Sequence, residues 1–443
     1  MPIKIPKAQK KKEKKVSSRK KFLFSSPRGM HDLFKKDFEY RDKIEQATKK
    51  VASFYGFDRI ETPVLEDAKI FERGTGLTSE VVSKQMFYAK SRGSEGRLAL
   101  RPEMTPGVLR AYIQKGLLHT LVPGKFFYVS PLFRYERPQA GRFRQFWQLG
   151  FEVLQSSQAI YDAQIIIATY KICQELNIKN PIIKINSIGG RLSRNGYIKK
   201  LKEYYRGKTA KMCKDCQKRY KDNPLRMLDC KNERCQIFKD QAPQAIDALV
   251  GEDRNHFKQV LEYLDEVEIP YLIDHALVRG LDYYTRTVFE VFSENYDAAL
   301  GGGGRYDYLS ETLGGPKMAG VGSAMGIERI IEVLKEQEKP RNTTKKRQGI
   351  FLVQMGQEAK KRSLKILEMF YEAKIPVKEA FTKDSMKAQL KAADREGSRF
   401  ALILGQREVF EDTILLRDMK TGNQEVVACG KLVSEVKKRL KKK

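Results

Sequence analysis

The stretch FRYERPQAGRFRQFWQLGFEVL, residues 133–154, holds two alternating runs separated by Pro138 and Gly141. Period-two alternation with turn residues between the runs reads as a pair of antiparallel strands. The charges are unusual for strands: Arg134, Arg137, Arg142 and Arg144 crowd around the turn, interleaved with Phe143, Phe146 and Trp147. A guanidinium stays charged and grips phosphate through two parallel N–H bonds, and the aromatic rings offer a surface on which a base can stack. Together with Arg279 and Arg329 from later strands or helices, the set suits a triphosphate. On these residues alone, exposed basic hairpins on a basic protein remain the alternative.

Outward from this pair, GRLALR (96–101) and KFFYVS (125–130) read as further antiparallel strands. Upstream, residues 37–54 have helical spacing and lead through Gly56 into an extended segment with a bend at Pro63. Between about 190 and 270 the pattern turns helical and basic, which marks a candidate insertion. Strand signals return at 276–300, followed by the glycine run 301–304, expected to be a turn or a close backbone approach to a ligand, and by an apolar helical stretch from Ala319 to Leu334. Residues 337–348 look like a linker. Beyond it, strands at 350–354, 375–381 and 400–405 alternate with helices, one striped by Leu364, Leu367 and Tyr371 and one capped by Ser385, as in a small α/β domain with a largely parallel sheet.

The chain has 443 residues, with 85 Lys and Arg against 55 Asp and Glu, for a net charge of +30. Its length and 41% hydrophobic content exclude a lone small module and a disordered chain. No run of apolar residues is long enough for a bilayer span. The charge points first to nucleic acid and second to an anionic membrane surface. Residues 1–21 hold ten Lys or Arg and a single acid, Glu13, and are expected to be a disordered arm without the apolar core of a secretory signal, so the cytoplasm is the expected compartment.

The sequence has neither a GxxxxGK[ST] loop nor a strand-linked GxGxxG, so side chains would have to hold a nucleotide. Glu103 and Glu152 sit where the chain should be partly buried, and a buried acid needs a cationic or hydrogen-bonding partner. They read as an internal ion pair or as the end of a pocket opposite the arginines. Tyr283 and Tyr284 offer hydroxyl donors or simple packing. Cys213, Cys216, Cys230 and Cys235 are spaced CxxC, thirteen residues, CxxxxC, in a segment poor in large apolar residues. That pattern reads as a structural zinc site of four thiolates or as thiols without a ligand role. Cys173 and Cys429 read as buried small hydrophobes.

RGMHDL (28–33), LRPEMTP (100–106), FRYERPQAGRFRQF (133–146), LVRGLDYY (277–284), GGRYD (303–307) and AMGIER (324–329) together resemble the histidyl-tRNA synthetase family, class II aminoacyl-tRNA synthetases. The resemblance implies an α+β fold. It has a class II antiparallel sheet flanked by helices, with a helical insertion and a C-terminal α/β anticodon-binding domain. The expected divisions are a basic arm 1–25, a catalytic domain in two parts (26–190 and 273–336), an insertion 191–272, a linker 337–348 and an anticodon-binding domain 349–443. It further implies the substrates L-histidine, ATP with Mg2+ and tRNA(His), and a homodimer contacting through the Pro63 region, with no membrane partner.

By the same resemblance, Glu103, Thr105 and Gln148 hold the α-amino group, and Glu152 and Tyr284, next to Tyr283, read the imidazole. Arg134 and Arg279 grip the α-phosphate and Arg142 and Arg329 the outer phosphates. Phe146 stacks on adenine, and Glu136 lies near adenine or the tRNA end. Met104 and Trp147 depart from the glycine and histidine frequent in the family, which bears on the shape of the pocket. A synthetase-like regulatory subunit is the rival within this resemblance, and such proteins typically lack the anticodon domain.

Overall fold

The computed structural model describes residues 24–76, 79, 81–90, 96–294, 296–338, 347 and 349–441. The basic arm and most of the linker lie outside these residues. The chain divides into two compact units, residues 1–339 and 340–443.

The strands of the first unit are β1 (Asp58–Arg59), β2 (Leu65–Asp67), β3 (Phe87–Ala89), β4 (Leu98–Leu100), β5 (Gly124–Phe133), β6 (Gln145–Leu154), β7 (Ile182–Ser187), β8 (Tyr271–Ile273), β9 (Thr285–Ser293), β10 (Tyr296–Arg305) and β11 (Gly320–Gly326). Eight of them form one sheet in the order β1-β5-β6-β11-β10-β9-β7-β8. Every pair from β5 to β7 is antiparallel, and only the edge pairs β1/β5 and β7/β8 are parallel. Strands β2, β4 and β3 make a small second sheet.

The helices are α1 (Lys35–Phe54), α2 (Ala68–Gly74), α3 (Thr105–Gln114), α4 (Ala159–Glu175), α5 (Arg191–Tyr205), α6 (Lys214–Asp222), α7 (Glu233–Lys239), α8 (Gly251–Glu266), α9 (Leu309–Thr312) and α10 (Ile327–Gln337). Alternation along the strands sends successive side chains to opposite faces. Phe127, Val129, Phe151, Phe289 and Val321 pack on one face against α1, α4, α8 and α10. Phe126, Tyr128, Leu132 and Val288 face the other side, toward α3, α5 and the cysteine-bearing segment.

The segment expected as an insertion therefore shares both cores of the body. Phe257, Val260 and Leu264 of α8 belong to the first, and β8 pairs with β7 at the sheet edge. Two local expectations are corrected. The glycine run is the end of strand β10, not a turn, and the stretch from Ala319 is strand β11 before it becomes helix α10. Behind the sheet, Arg305 and Asp162 form a fully buried ion pair, which His256 joins at 3.1 Å. Burial alone would push the Asp162 carboxyl up, but the Arg305 charge and the hydrogen bonds from His256 and Arg305 outweigh it and hold it at about 2.

The second unit contains β12 (Ile350–Gln354), α11 (Gln357–Glu372), β13 (Val377–Glu379), α12 (Met386–Arg395), β14 (Phe400–Leu404), α13 (Gln406–Phe410), β15 (Thr413–Asp418), β16 (Gln424–Ala428) and α14 (Leu432–Lys441). Its sheet runs β13-β12-β14-β15-β16, parallel across the first three strands and antiparallel in the last two pairings. Ser385 caps α12 by accepting from the Ala388 N–H at 3.2 Å. On α11, Ile366 and Phe370 are buried and Leu367 packs against the core, whereas Leu364 and Tyr371 are 62% and 78% exposed, so only one of the three residues of the expected stripe faces inward.

Candidate active site

Strand β6 presents Phe146, Gln148, Gly150 and Glu152 to the second sheet face. The register then runs from Glu152 to Gly322 on β11, Gly304 on β10 and Val288 on β9. The neighbouring row is Gly150, Ala324, Gly302 and Glu290. This floor has few side chains, and the space is filled by groups from elsewhere. A Cβ at Gly322 would fall within the Glu152 carboxylate, and one at Gly302 would lie 2.9 Å from Arg279 Nη1. The glycines are what let these functional groups lie flat on the sheet.

Acids and phenols gather at one end of the floor. Glu152 accepts hydrogen bonds from the Thr105 hydroxyl at 2.7 Å and from the Tyr306 phenol. Glu103, in the turn between β4 and α3, accepts one from the Tyr283 phenol at 2.9 Å, while its Oε1 is buried with no partner among the described residues. Thr105 is the first residue of α3, a helix the sequence pattern did not disclose. Burial pushes the Glu103 carboxyl up to about 7 against the opposing pull of Arg134 and Tyr283. Burial likewise raises Glu152 to about 8, against the Tyr306 and Thr105 hydrogen bonds and with a further rise from Glu103. Tyr284 completes the group, its ring centroid 4.7 Å from that of Tyr283.

Guanidinium groups adjoin this end. Arg134 follows β5, donates to the Pro102 carbonyl at 2.9 Å and lies 5.3 Å from the Phe146 ring centroid. Arg279 pairs with Glu290 on the floor, and its Nε has no partner among the described residues. Arg329, on α10, donates to the Ala299 carbonyl at 2.6 Å and to Gly141 at the hairpin tip at 3.4 Å. Burial lowers its pKa, Tyr296 opposes that, and the nearby charges of Arg142 and Arg134 add to the lowering while Glu136 offsets it. Arg329, from a distant part of the sequence, thus lies within electrostatic reach of Arg134, Glu136 and Arg142 of the β5–β6 hairpin. Clustered cations with partly unused donors are a site for a polyanion.

A family model described as Histidyl-tRNA synthetase matches residues 29–330, and one described as Anticodon binding domain matches residues 349–439. The chain belongs to the histidyl-tRNA synthetase family. It is 40% identical over 407 residues to the histidine–tRNA ligase of Aquifex aeolicus, covering 92% of this chain and 99% of that one. It is 39% identical over 423 residues to that of Dehalococcoides mccartyi, covering 94% and 100%. Among solved structures, the apo histidyl-tRNA synthetase of S. aureus superposes with a TM-score of 0.76 at 32% identity, covering 93% of this chain and 99% of that one.

Within this family setting, the two unusual residues resolve differently. Trp147 points to the opposite sheet face from Gln148, where the Arg41 guanidinium lies 3.3 Å from its ring centroid, so it does not shape the site. Met104 is buried in the core, its sulfur 3.9 Å from the Thr62 hydroxyl. Tyr306 was not singled out in the sequence, although GGRYD was, because a Tyr after a glycine strand gives no sign of which carboxylate it meets. The four insertion cysteines converge, with all four Sγ atoms within 4.8 Å of one another. No helix among the described residues is long and apolar enough to cross a membrane.

Proposed function

We propose that this chain joins L-histidine to ATP, giving histidyl-adenylate and pyrophosphate, and then passes the histidyl group to the 3′ end of tRNA(His). One observation carries this reading: a single sheet face on which buried acids and phenols adjoin converging guanidinium groups. The orphaned Glu103 oxygen suits the α-ammonium of histidine, with Thr105 and Gln148 beside it. Glu152 and Tyr284 would read the two imidazole nitrogens, a carboxylate and a phenol together fixing tautomer and orientation. Tyr306 and Tyr283 would hold the two carboxylates in place.

In the first step a histidine carboxylate oxygen attacks the α-phosphorus, the bond to the bridging oxygen breaks, and pyrophosphate leaves. Arg134 and Arg279 stabilise the charge that grows on the α-phosphate oxygens and align the attacking oxygen. Arg142 and Arg329 hold the outer phosphates, Phe146 stacks on adenine, and Glu136 lies toward adenine or the incoming tRNA end. The donors at the phosphate end are mostly guanidinium groups, so magnesium would arrive held chiefly by phosphate oxygens and water, supplying charge neutralisation to the leaving group. In the second step a terminal ribose hydroxyl attacks the adenylate carbonyl and AMP leaves. Histidine-dependent exchange of pyrophosphate into ATP is the test, and its absence from folded protein beside an active control would overturn the proposal.

The raised carboxyl pKa values give a pH dependence. Below about 7 an empty site holds Glu103 protonated, and a neutral acid is a poor partner for an ammonium. The histidine KM should therefore climb as pH falls from about 8 to 6, with Glu103→Gln already weak at pH 8 and its profile flatter. An identical profile in the variant would remove Glu103 from ammonium binding.

The four cysteines are proposed to hold one structural zinc ion. The Cys213 and Cys230 sulfurs are 3.8 Å apart, the spacing that a tetrahedral ion with Zn–S bonds of about 2.3 Å requires. The N–H groups of Cys213, Cys216 and Asn232 point at cysteine sulfurs at 3.4–3.5 Å, as thiolate ligands favour. Elemental analysis of the purified chain is expected to give about one zinc per chain, and a value near zero in folded, reduced protein would leave plain thiols. A cytoplasmic homodimer belongs to the same proposal, with Pro63, Val64 and Leu65 exposed on the surface it would cover.

A further inference from the structure

The loop between Val278 and β9 carries Arg279, Tyr283 and Tyr284; the Arg279 side chain pairs with Glu290 of β9, but the contacts to the loop's backbone and to Asp282 come from outside the catalytic sheet. Asn223, at the end of α6, donates from Nδ2 to Asp282 Oδ1 at 2.9 Å. Arg226, in the short turn that follows, reaches the Arg279 carbonyl at 3.4 Å, and its own carbonyl is held by Arg219 at 3.2 Å. Arg194 of α5 donates to the carbonyls of Tyr284 at 2.9 Å and Asp282 at 3.3 Å. On the far side, the Asp282 N–H meets the Thr75 carbonyl at 3.4 Å. The loop is thus clamped from outside at 279, 282 and 284, and two of its clamps lie between Cys216 and Cys230.

That placement gives the cysteines a consequence for catalysis. Residues 217–229 are tethered at both ends by thiolate ligands, and α6 itself buries only Cys216. Leu225, Met227 and Leu228 of the following turn pack into the same core as Tyr283 and Tyr284. The turn is therefore seated by its own apolar residues, but α6, with no buried apolar anchor besides Cys216, depends on the metal for a fixed position, and Asn223 and Arg226 follow directly after it. Displacing a catalytic group by about 1 Å can cost about 100-fold in rate even when the disturbance lies far from the chemistry.

We propose that the four-thiolate knuckle is a brace for the catalytic loop: a bound thiophilic divalent cation fixes Asn223 and Arg226, and these positioning residues set where Arg279 stands relative to the α-phosphate. The proposal rests on the adenylate-forming reading of the site and on metal binding by the four cysteines. The cation touches no substrate and performs no chemistry. Its loss loosens Arg279, and with it Tyr283 and the Glu103 carboxylate that Tyr283 holds, while Glu152, Arg134 and Arg329, which are held by other elements, stay in place. Adenylate formation then responds to chelation at a distance from the substrates, with Cys213, the partly exposed member of the set, as the point of access.

The test uses the full chain in three forms: as purified with zinc, stripped by a chelator under reducing conditions, and stripped then reloaded with Zn2+. Alongside these stands Asn223→Asp, which keeps the thiolates and the side-chain shape but sets a carboxylate against Asp282. Pyrophosphate exchange is measured over histidine and ATP concentrations, with metal content and circular dichroism on each sample. The stripped protein and Asn223→Asp are expected to lose about 10- to 100-fold in kcat, with the ATP KM unchanged. Reloading restores the stripped protein, and Asn223→Asp retains its zinc. A general structural role would instead lower the fraction of folded protein and leave kcat per folded chain unchanged. Unchanged kcat in folded, metal-free protein, or in Asn223→Asp, overturns the brace. A zinc-loaded wild type with no histidine-dependent exchange sinks the enzymatic reading and the brace with it, a result distinct from either of those.

Discussion

Arg279→Ala is expected to reduce kcat for histidine-dependent pyrophosphate exchange about 100- to 1,000-fold, the usual cost of removing one preorganised donor from a charge-developing centre. Affinity for tRNA should change little, since the side chain lies on the sheet floor between Glu290 and the Tyr284 ring. The effect should fall mainly on kcat, because an unused Nε with its Nη1 committed to Glu290 is a donor poised for charge that appears only during attack. Arg279→Lys separates charge from geometry: it keeps a cation but loses the planar fork, and an intermediate rate is expected. Steady-state exchange kinetics and a filter-binding titration with tRNA decide the matter. Wild-type exchange in folded Arg279→Ala would remove this residue from the reaction centre.

Why Arg279 was legible in the sequence, and its surroundings were not, has a physical basis. Arginine and glutamate in strand-like contexts announce themselves, because a charge placed beside apolar residues has to be paired or used. The antiparallel body and the first three strands of the α/β unit beyond residue 349 were readable, since alternation of period two and helical spacing are local properties, but the sheet expected to be largely parallel ends in two antiparallel pairings through β15 and β16. Position on the floor is not local. The glycines at 301–304 read as a turn or a close backbone approach to a ligand, yet they form a strand because the neighbouring rows leave no room for side chains. Gly320–Gly326 read as the start of a helix because small residues show no period, and only the ladder with β6 and β10 makes it a strand. Helix α3 was hidden by Pro106 and Gly107, which usually break helices; Pro106 is tolerated because it stands in the first turn, where its missing N–H has no intrahelical partner. On α11 the stripe is offset from the core face: Leu367 packs against the core, but Leu364 and Tyr371 are exposed and are as apolar as the buried Ile366 and Phe370. Tyr306 belongs with these: its pairing to Glu152 spans β10, β11 and β6 and exists only after the sheet forms.

That dependence on the floor yields the second large effect, at a residue with no functional group. A methyl added at Gly322 would fall within the Glu152 carboxylate and 2.8 Å from the Phe151 carbonyl. The backbone cannot retreat, because Gly322 is paired to Glu152 on one side and to Gly304 on the other. The carboxylate has to move instead, breaking its bonds from Thr105 and Tyr306 and leaving two buried hydroxyls without their acceptor. Gly322→Ala should therefore raise the histidine KM about 100-fold or more, since a pocket built to hydrogen-bond an imidazole discriminates strongly once its polar partner is misplaced. The ATP KM should stay near wild type, as Arg142 and Arg329 are seated at the hairpin tip and on α10. Overpacking of this kind costs about 1–3 kcal/mol, so Tm should drop by several degrees without loss of the folded state. Gly326→Ala on the same strand is the control, because a Cβ there meets only ordinary contacts with Arg329 at 3.5 Å and beyond. If Gly322→Ala folds and binds histidine as the wild type does, Glu152 is not the group that reads the imidazole, and the acid end of the site has been assigned to the wrong part of the substrate.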